Sequence, residues 1–280
     1  MKLSRIGILL VVLLIFSVLG TACSTDTGND NDNSDSEENT TSEETQDSLQ
    51  RVLDMKELMV VGSGGYRPFN YFEDGIVVGF DVDVGKEIAD RLGVELNYVT
   101  SAWDGLTAGL RNKRYDAILG SMAITDDRLE VVNFTIPYYY SGAQLIVRED
   151  SGITDPSEMA GKTIAVATAT NFVGDAEELG ADVSFLDDDN ATLMELISGR
   201  VDGVITDRLV ALEAMEEISG GDELTLCGEI LRLEEMGIAT NKEDTALLEK
   251  INEILEEMHE DGTLKEISEK WHNGADITVK

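Results

Sequence analysis

The chain has 280 residues, with 56 Asp and Glu against 21 Lys and Arg, a formal net charge of −35. That excess excludes nucleic acid, whose phosphates require a basic surface, and docking on anionic lipid headgroups. With 42% hydrophobic residues, the chain reads as a globular protein kept soluble and monomeric by self-repulsion, in keeping with salty surroundings where screening is strong.

The first segment in chain order is not part of a fold. Lys2 and Arg5 make a basic start, and Ile6 to Leu19 is an apolar run shorter than the roughly 20 residues a bilayer span takes. Small residues Gly20, Thr21 and Ala22 follow, then Cys23. Residues 1–22 therefore read as a secretory signal peptide. Its ending on a cysteine resembles a bacterial lipoprotein signal, in which Cys23 becomes the lipidated mature N-terminus; Gly20 stands where that pattern prefers leucine. Cys227 is then the only other cysteine, so no intramolecular disulfide is available and the core must hold the fold. Residues 23–50 read as lipid anchor and acidic linker. The stretch STDTGNDNDNSDSEENTTSEETQDS has no large apolar side chain and no Lys or Arg, so it cannot bury enough surface to fold.

From Glu57 onward strand and helix patterns alternate. ELMVVG predicts a buried strand, Val84, Ile88 and Leu92 a helix face, VELNYV a strand, Trp103, Leu106 and Leu110 a helix face, and YDAILG a strand. The second half repeats the scheme. KTIAVA, DVSFL and VDGVIT are strands separated by helices at Phe172 to Leu179 and Ala191 to Ile197. LRNKRYDAIL and LISGRVDGVI match without gaps at Leu110 and Leu196, Arg114 and Arg200, and Asp116 and Asp202. Such alternation predicts an α/β fold of two lobes, each a mainly parallel sheet covered by helices, with a ligand cleft between them. Two further helices, Asp244 to Glu260 and Thr263 to Trp271, must pack on one of the lobes.

Within GFDVDVGKEI two aspartates stand one residue apart. A calcium loop starting at Asp81 requires glycine at its sixth position and glutamate at its twelfth, but these are Lys86 and Leu92. The expectation is instead a helix start, with the Asp81 side chain capping free N–H groups and Asp83 in the electropositive first turn.

The same stretch, GFDVDVGKEIADRLG, resembles a signature of the extracellular solute-binding proteins of polar amino-acid ABC importers (family 3). GYRPFNY, WDGLTAGLRNKRYDAILGSMAITDDR, NFTIPYYYSG, GKTIAVATATN, VDGVITD and MGIATNK follow in that family's order, from about Leu53 to Trp271. The resemblance implies a two-lobe periplasmic-binding-protein-like fold. Its first lobe would be residues 51–137 and 237–280 and its second residues 142–231, joined near Tyr138 to Ser141 and Arg232 to Met236. It implies a binding protein anchored outside the cell membrane that captures a polar or neutral L-amino acid by hinge closure and delivers it to an ABC transporter permease. By the same resemblance Arg128 takes the ligand carboxylate, as a planar guanidinium does with two parallel bonds. The residues alone leave it a salt bridge with Asp126, Asp127 or Glu130 beside a helix capped by Thr125. Asp207 receives the ligand ammonium, and also fits as the N-cap of RLVALEAMEEI. Thr170 and Asn171 precede a helix whose N–H groups favour an anion. Ser121 and Ala123 match contact positions, with one hydroxyl lost at Ala123. Tyr66 and Trp103 match the aromatic pair enclosing the ligand. Ser63 stands where relatives are often acidic, which argues against a lysine, arginine or histidine ligand.

No cofactor or metal is expected, nor an enzyme. His259 and His272 fall in the C-terminal helices, and no nucleophile–base pair is visible. Carboxylates are numerous, however, and the fold hosts carboxylate-dependent dehydratases, which stand as the alternative. The other alternative is a sensor ectodomain, against which the lack of a later apolar span weighs.

Overall fold

A computed structural model describes residues 48–280. The signal segment, Cys23 and the linker up to residue 47 lie outside the described residues. The first described element, α1 (Ser48–Met55), begins three residues inside the segment read as linker. Val52 is fully buried, and Leu49 and Leu53 pack against the same core.

Strand β1 (Glu57–Gly62) is followed by a small antiparallel sheet of β2 (Gly65–Tyr66), β3 (Asn70–Glu73) and β4 (Ile76–Val78). Helix α2 (Phe80–Leu92), β5 (Glu95–Thr100), α3 (Leu106–Arg111) and β6 (Ala117–Ala123) complete the first alternation. Then come α4 (Asp126–Val131), β7 (Val132–Phe134) and the long β8 (Tyr139–Arg148). The second alternation runs β9 (Thr163–Ala167), α5 (Phe172–Glu178), β10 (Asp182–Leu186), α6 (Asp189–Ile197), β11 (Gly203–Asp207) and α7 (Arg208–Glu217). The chain returns along β12 (Leu224–Asn241) to α8 (Thr245–Asp261) and α9 (Thr263–Trp271).

Among the described residues the main sheet runs β10-β9-β11-β8-β12-β6-β1-β5, with β7 beside β12. Its outer pairs, β1 with β5 and β6 and β9 with β10 and β11, are parallel. Its centre is antiparallel: β8 and β12 pair from Leu224↔Arg148 to Met236↔Tyr139, with a register shift between Cys227 and Arg232. Parallel strands need a covering crossover, which the helices supply. The two returning strands need none, so both lobes share them.

Each half of the sheet is buried on both faces. Leu58, Val84, Ile88, Ile251 and Leu255 make one core of the first half, and Val61, Leu106, Leu110 and Ile118 the other. The second half has Leu145, Ile164 and Phe172 on one face and Ile146, Leu193 and Val204 on the other. Helices α8 and α9 therefore pack on the first lobe, through Leu247, Ile251, Ile254, Leu255, Met258 and Leu264. Cys227 is free and buried. Among the described residues no helix is long and apolar enough to cross a membrane.

The expected cap at Asp81 is not formed. Gly79 occupies the N-cap with φ 135°, and no side chain caps the helix. Backbone carbonyls already serve the first N–H groups: Phe80 N–H donates to Pro68 O (3.1 Å) and Asp81 N–H to Phe69 O (2.9 Å). A Cβ on Gly79 would lie 2.1 Å from Phe69 O, so only glycine allows this docking. With those donors satisfied, the Asp81 carboxylate turns inward and is fully buried. Asp83 stays in the first turn, where Lys270 Nζ (2.5 Å) and Trp271 Nε1 (2.7 Å) donate to it.

Candidate functional site

A cavity of about 360 Å³ opens where the ends of β1, β6 and β9 face the returning strand β12. Eight of the nine residues that the sequence reading assigns to ligand binding line it: Ser63, Tyr66, Trp103, Ser121, Ala123, Arg128, Thr170 and Asn171. The ninth, Asp207, is fully buried but not on the wall.

Ser121 sits within β6 with φ 57°, a left-handed conformation unusual for a residue other than glycine. A buried network holds it there. Its N–H donates to Tyr138 Oη (3.1 Å) and its Oγ to Asp81 Oδ2 (3.0 Å). Tyr138 Oη in turn donates to Asp81 Oδ1 (2.6 Å), and Asn70 Nδ2 to Asp81 Oδ2 (2.7 Å). Ser63 Oγ and Gly64 N–H close the chain on Asn70 Oδ1, at 3.2 and 2.9 Å. Burial pushes the Asp81 carboxyl up to about 6 against the pull of its three donors. The residue first read as a helix cap therefore holds the floor of the cavity in place.

Arg128 follows Thr125, whose Oγ1 accepts from the Arg128 N–H (3.3 Å) as the N-cap of α4. The guanidinium folds back, donating from Nη1 to Ala123 O (2.8 Å), with its carbon 5.5 Å from the centre of the Trp103 ring. Burial lowers its pKa, while Glu234 nearby raises it. Among the described residues no carboxylate pairs with it, so the salt bridges to Asp126, Asp127 or Glu130 are not made.

Tyr66 stacks on Phe69 (5.7 Å between centroids). Burial raises its pKa most, followed by the carboxylates of Asp207, Asp189 and Glu234, with Thr206 bonding the phenol. Two hydrogen bonds span the cavity between the lobes, Trp103 Nε1 to Ala169 O and Asn190 Nδ2 to Gly65 O, both 3.2 Å. Thr170 spends its N–H (3.3 Å) and Oγ1 (2.7 Å) on Ala167 O. Its amide is thus not free for an anion, because the turn into α5 closes on that carbonyl.

The cavity lining is rich in carboxylates. Asp187, Asp188 and Asp189 line it from the second lobe, Glu234 from β12, and Asp104 from the first lobe beside Trp103. Thr206 Oγ1 donates to Asp189 Oδ1 (2.5 Å), and burial pushes the Asp189 carboxyl up to about 6. Asp207 Oδ1 accepts from Leu209 N–H (2.7 Å), Val210 N–H (3.4 Å) and Ser141 Oγ (2.8 Å), so it does cap α7. Burial first, then the charge of Glu234, pushes the Asp207 carboxyl up to about 7.

Glu234 and Asp189 were not singled out in the sequence. LRLEEMG offers two adjacent glutamates, and nothing local says which one faces the cavity. The pairing Glu234↔Ser141 decides it: Glu234 is 2% exposed, while Glu235 points out to Lys280.

Two α/β lobes sharing a pair of long strands, with an arginine, two aromatic rings and carboxylates around the cavity between them, define a small-molecule-binding protein of two lobes. The chain belongs to the bacterial extracellular solute-binding proteins, family 3, whose family model matches residues 58–274. It is 35% identical over 235 residues to the L-cystine-binding protein TcyJ of Escherichia coli strain K12, covering 82% of this chain and 87% of that one. Among solved structures, a mutant of ArgBP from T. maritima matches with a TM-score of 0.75 at 35% identity, over 81% of this chain and 99% of that one. The ancestral amino acid-binding protein AncCDT-1, described as a precursor of cyclohexadienyl dehydratase, matches with a TM-score of 0.74 at 28% identity, over 81% and 99%.

Proposed function

We propose that this chain is the substrate-binding lipoprotein of an amino-acid ABC importer, held outside the cell membrane by Cys23, and that it delivers a polar α-amino acid to the permease. The observation that carries this reading is Arg128: a half-buried guanidinium on the cavity wall that no carboxylate contacts among the described residues, in a cavity lined by acids. A desolvated cation without a contacting counter-charge is costly. A ligand carboxylate held by two parallel bonds removes that cost.

The α-ammonium group then goes to Asp207, and the side chain runs between Tyr66 and Trp103 toward Ser63. Asp104, Asp187, Asp188 and Asp189 repel an acidic side chain and accommodate a neutral or cationic one. The site therefore admits the basic ligands that Ser63 alone argues against. The Trp103–Ala169 and Asn190–Gly65 bonds must break for the ligand to enter and re-form on closure about the paired segments Tyr139–Ser141 and Glu234–Met236. The names of the relatives support an α-amino acid headgroup with varied side chains: TcyJ is named for cystine, and ArgBP is described bound to arginine.

A thermal-shift panel of the twenty amino acids and L-cystine on the full chain tests this. One or a few should raise the melting temperature, since ligand at 100 times Kd adds about 2.7 kcal/mol; a panel without response ends the reading. Mass spectrometry should recover the ligand unchanged, whereas conversion to a dehydrated product would favour the dehydratase alternative. Cys23→Ser should abolish lipid labelling and release the protein from membranes.

A further inference from the structure

Ser141 of β8 pairs with Glu234 of β12, and residues paired across strands share a face. On the other side of β8, Ser141 Oγ donates to Asp207 Oδ1 (2.8 Å). Two carboxylates thus flank one hydroxyl, and each raises the cost of ionising its neighbour. Each commits a single oxygen to the protein. Glu234 Oε1 accepts from Asn171 Nδ2 (2.5 Å) and Arg232 Nη1 (2.9 Å). Asp207 Oδ1 accepts from Ser141 and the first amides of α7.

The second oxygens, Glu234 Oε2 and Asp207 Oδ2, are buried and accept no hydrogen bond from any described residue. Buried polar atoms are seldom left so. The Tyr139 hydroxyl beside Asp207 is also without a partner, but its single proton can serve only one of the two oxygens, so at least one carboxylate oxygen still calls for a donor. The protein's own cations do not fill that role. Arg232 spends Nη1 on Glu234 Oε1 and its other nitrogens on Asp175, at 3.2 and 2.7 Å. Arg128 donates to Ala123 O. Glu234 lies on the cavity wall.

We propose that Glu234 is a further ligand-binding residue, its Oε2 accepting from the α-ammonium group of the bound amino acid so that the ammonium bridges Glu234 and Asp207. This rests on the amino-acid reading above. An ammonium carries three donors and no acceptor, so it can serve both free oxygens and relieve the repulsion between the two carboxylates. The headgroup then lies between Arg128 and a pair of acids, and a ligand lacking an α-amino group is refused whatever its side chain.

The test is Glu234→Gln in the full chain, which keeps an acceptor for Asn171 and removes the charge. Calorimetric titration uses each amino acid of the panel that the wild-type protein binds, from pH 5 to 8. Affinity should fall 10-fold or more, by a similar factor for every ligand. The midpoint of the affinity–pH profile should move to lower pH, because Asp207 loses its anionic neighbour while Tyr66 and Tyr139, which also face it, stay neutral. Wild-type affinity in the folded variant overturns the proposal and leaves the amino-acid reading standing. A loss confined to ligands with cationic side chains also overturns it. So does a loss with an unmoved pH midpoint, which would make Glu234 a support for Asn171. If the variant does not fold, Glu234→Asp decides: the shorter side chain keeps the charge but withdraws the carboxylate from the ammonium, so affinity should fall 10-fold or more for every ligand, and wild-type affinity overturns the proposal. Wild-type protein binding no amino acid overturns this proposal together with the function it rests on.

Discussion

Asp207 must be charged to hold an ammonium, yet burial and then the Glu234 carboxylate push its pKa up to about 7. Glu234 faces it from β12, Tyr66 from β2 and Tyr139 from β8, while Ser141 and the α7 amides donate to it. Below pH 7 the ligand-free protein holds a proton that binding must expel. The sign follows: affinity is greatest above pH 7 and falls as pH drops through 7. Two units lower, only about 1% of the carboxyl is ionised, and at about 1.4 kcal/mol per unit binding weakens ~100-fold between pH 8 and pH 5. A carboxylate at its usual value near 4 would change affinity by only about 10% over that range. Calorimetry at four pH values, in two buffers of different ionisation enthalpy, reads affinity and proton release together. About one proton should leave near pH 6 and almost none at pH 8. Constant affinity from pH 8 to pH 5 without proton release refutes the reasoning.

Other substitutions separate binding from folding. Arg128→Ala should weaken ligand binding 30-fold or more, since truncating one partner of a buried charge pair costs roughly 2–5 kcal/mol. Its melting temperature should stay within a few degrees, because Arg128 makes no ion pair among the described residues; calorimetry with circular dichroism reads both, and normal affinity would remove Arg128 from the site. Asp207→Asn keeps an acceptor for Leu209 and Ser141 but loses the charge. A carboxyl raised from 3.8 to about 7 contributes stability that is lost as pH rises through 7, so at pH 8 this variant should melt no lower than wild type while binding 30-fold or more weaker. Asp207→Ala should also lose about 1 kcal/mol of helix capping, seen as a lower denaturant midpoint. Gly79→Ala forces a Cβ against Phe69 O at 2.1 Å with φ 135°; a loss above about 3 kcal/mol, or roughly 6–12 °C in Tm, is expected, and a wild-type Tm would show that the α2 start tolerates another backbone.

The sequence by itself determined the alternation of strands and helices in both halves, because apolar periods of 2 and 3.6 are local properties of the chain. ELMVVG, KTIAVA and DVSFL are the strands β1, β9 and β10, or nearly so, and Thr125 and Asp207 cap helices as their side chains allow. The residues that line the cavity from the first lobe were legible through motif order rather than through any local rule. Only the tertiary structure decided which carboxylates face inward. Asp81 looks like a helix cap until Pro68 and Phe69 supply carbonyls to the first amides, after which Asn70, Ser121 and Tyr138 claim its carboxylate. Glu234 is indistinguishable from Glu235 until β12 takes its register on β8, where a slip of one residue would exchange their faces. Burial of a charge is set by partners distant in sequence, so the buried carboxyls of Asp189, Asp207 and Glu234 acquire their raised pKa values only when the two lobes pack on their shared strands.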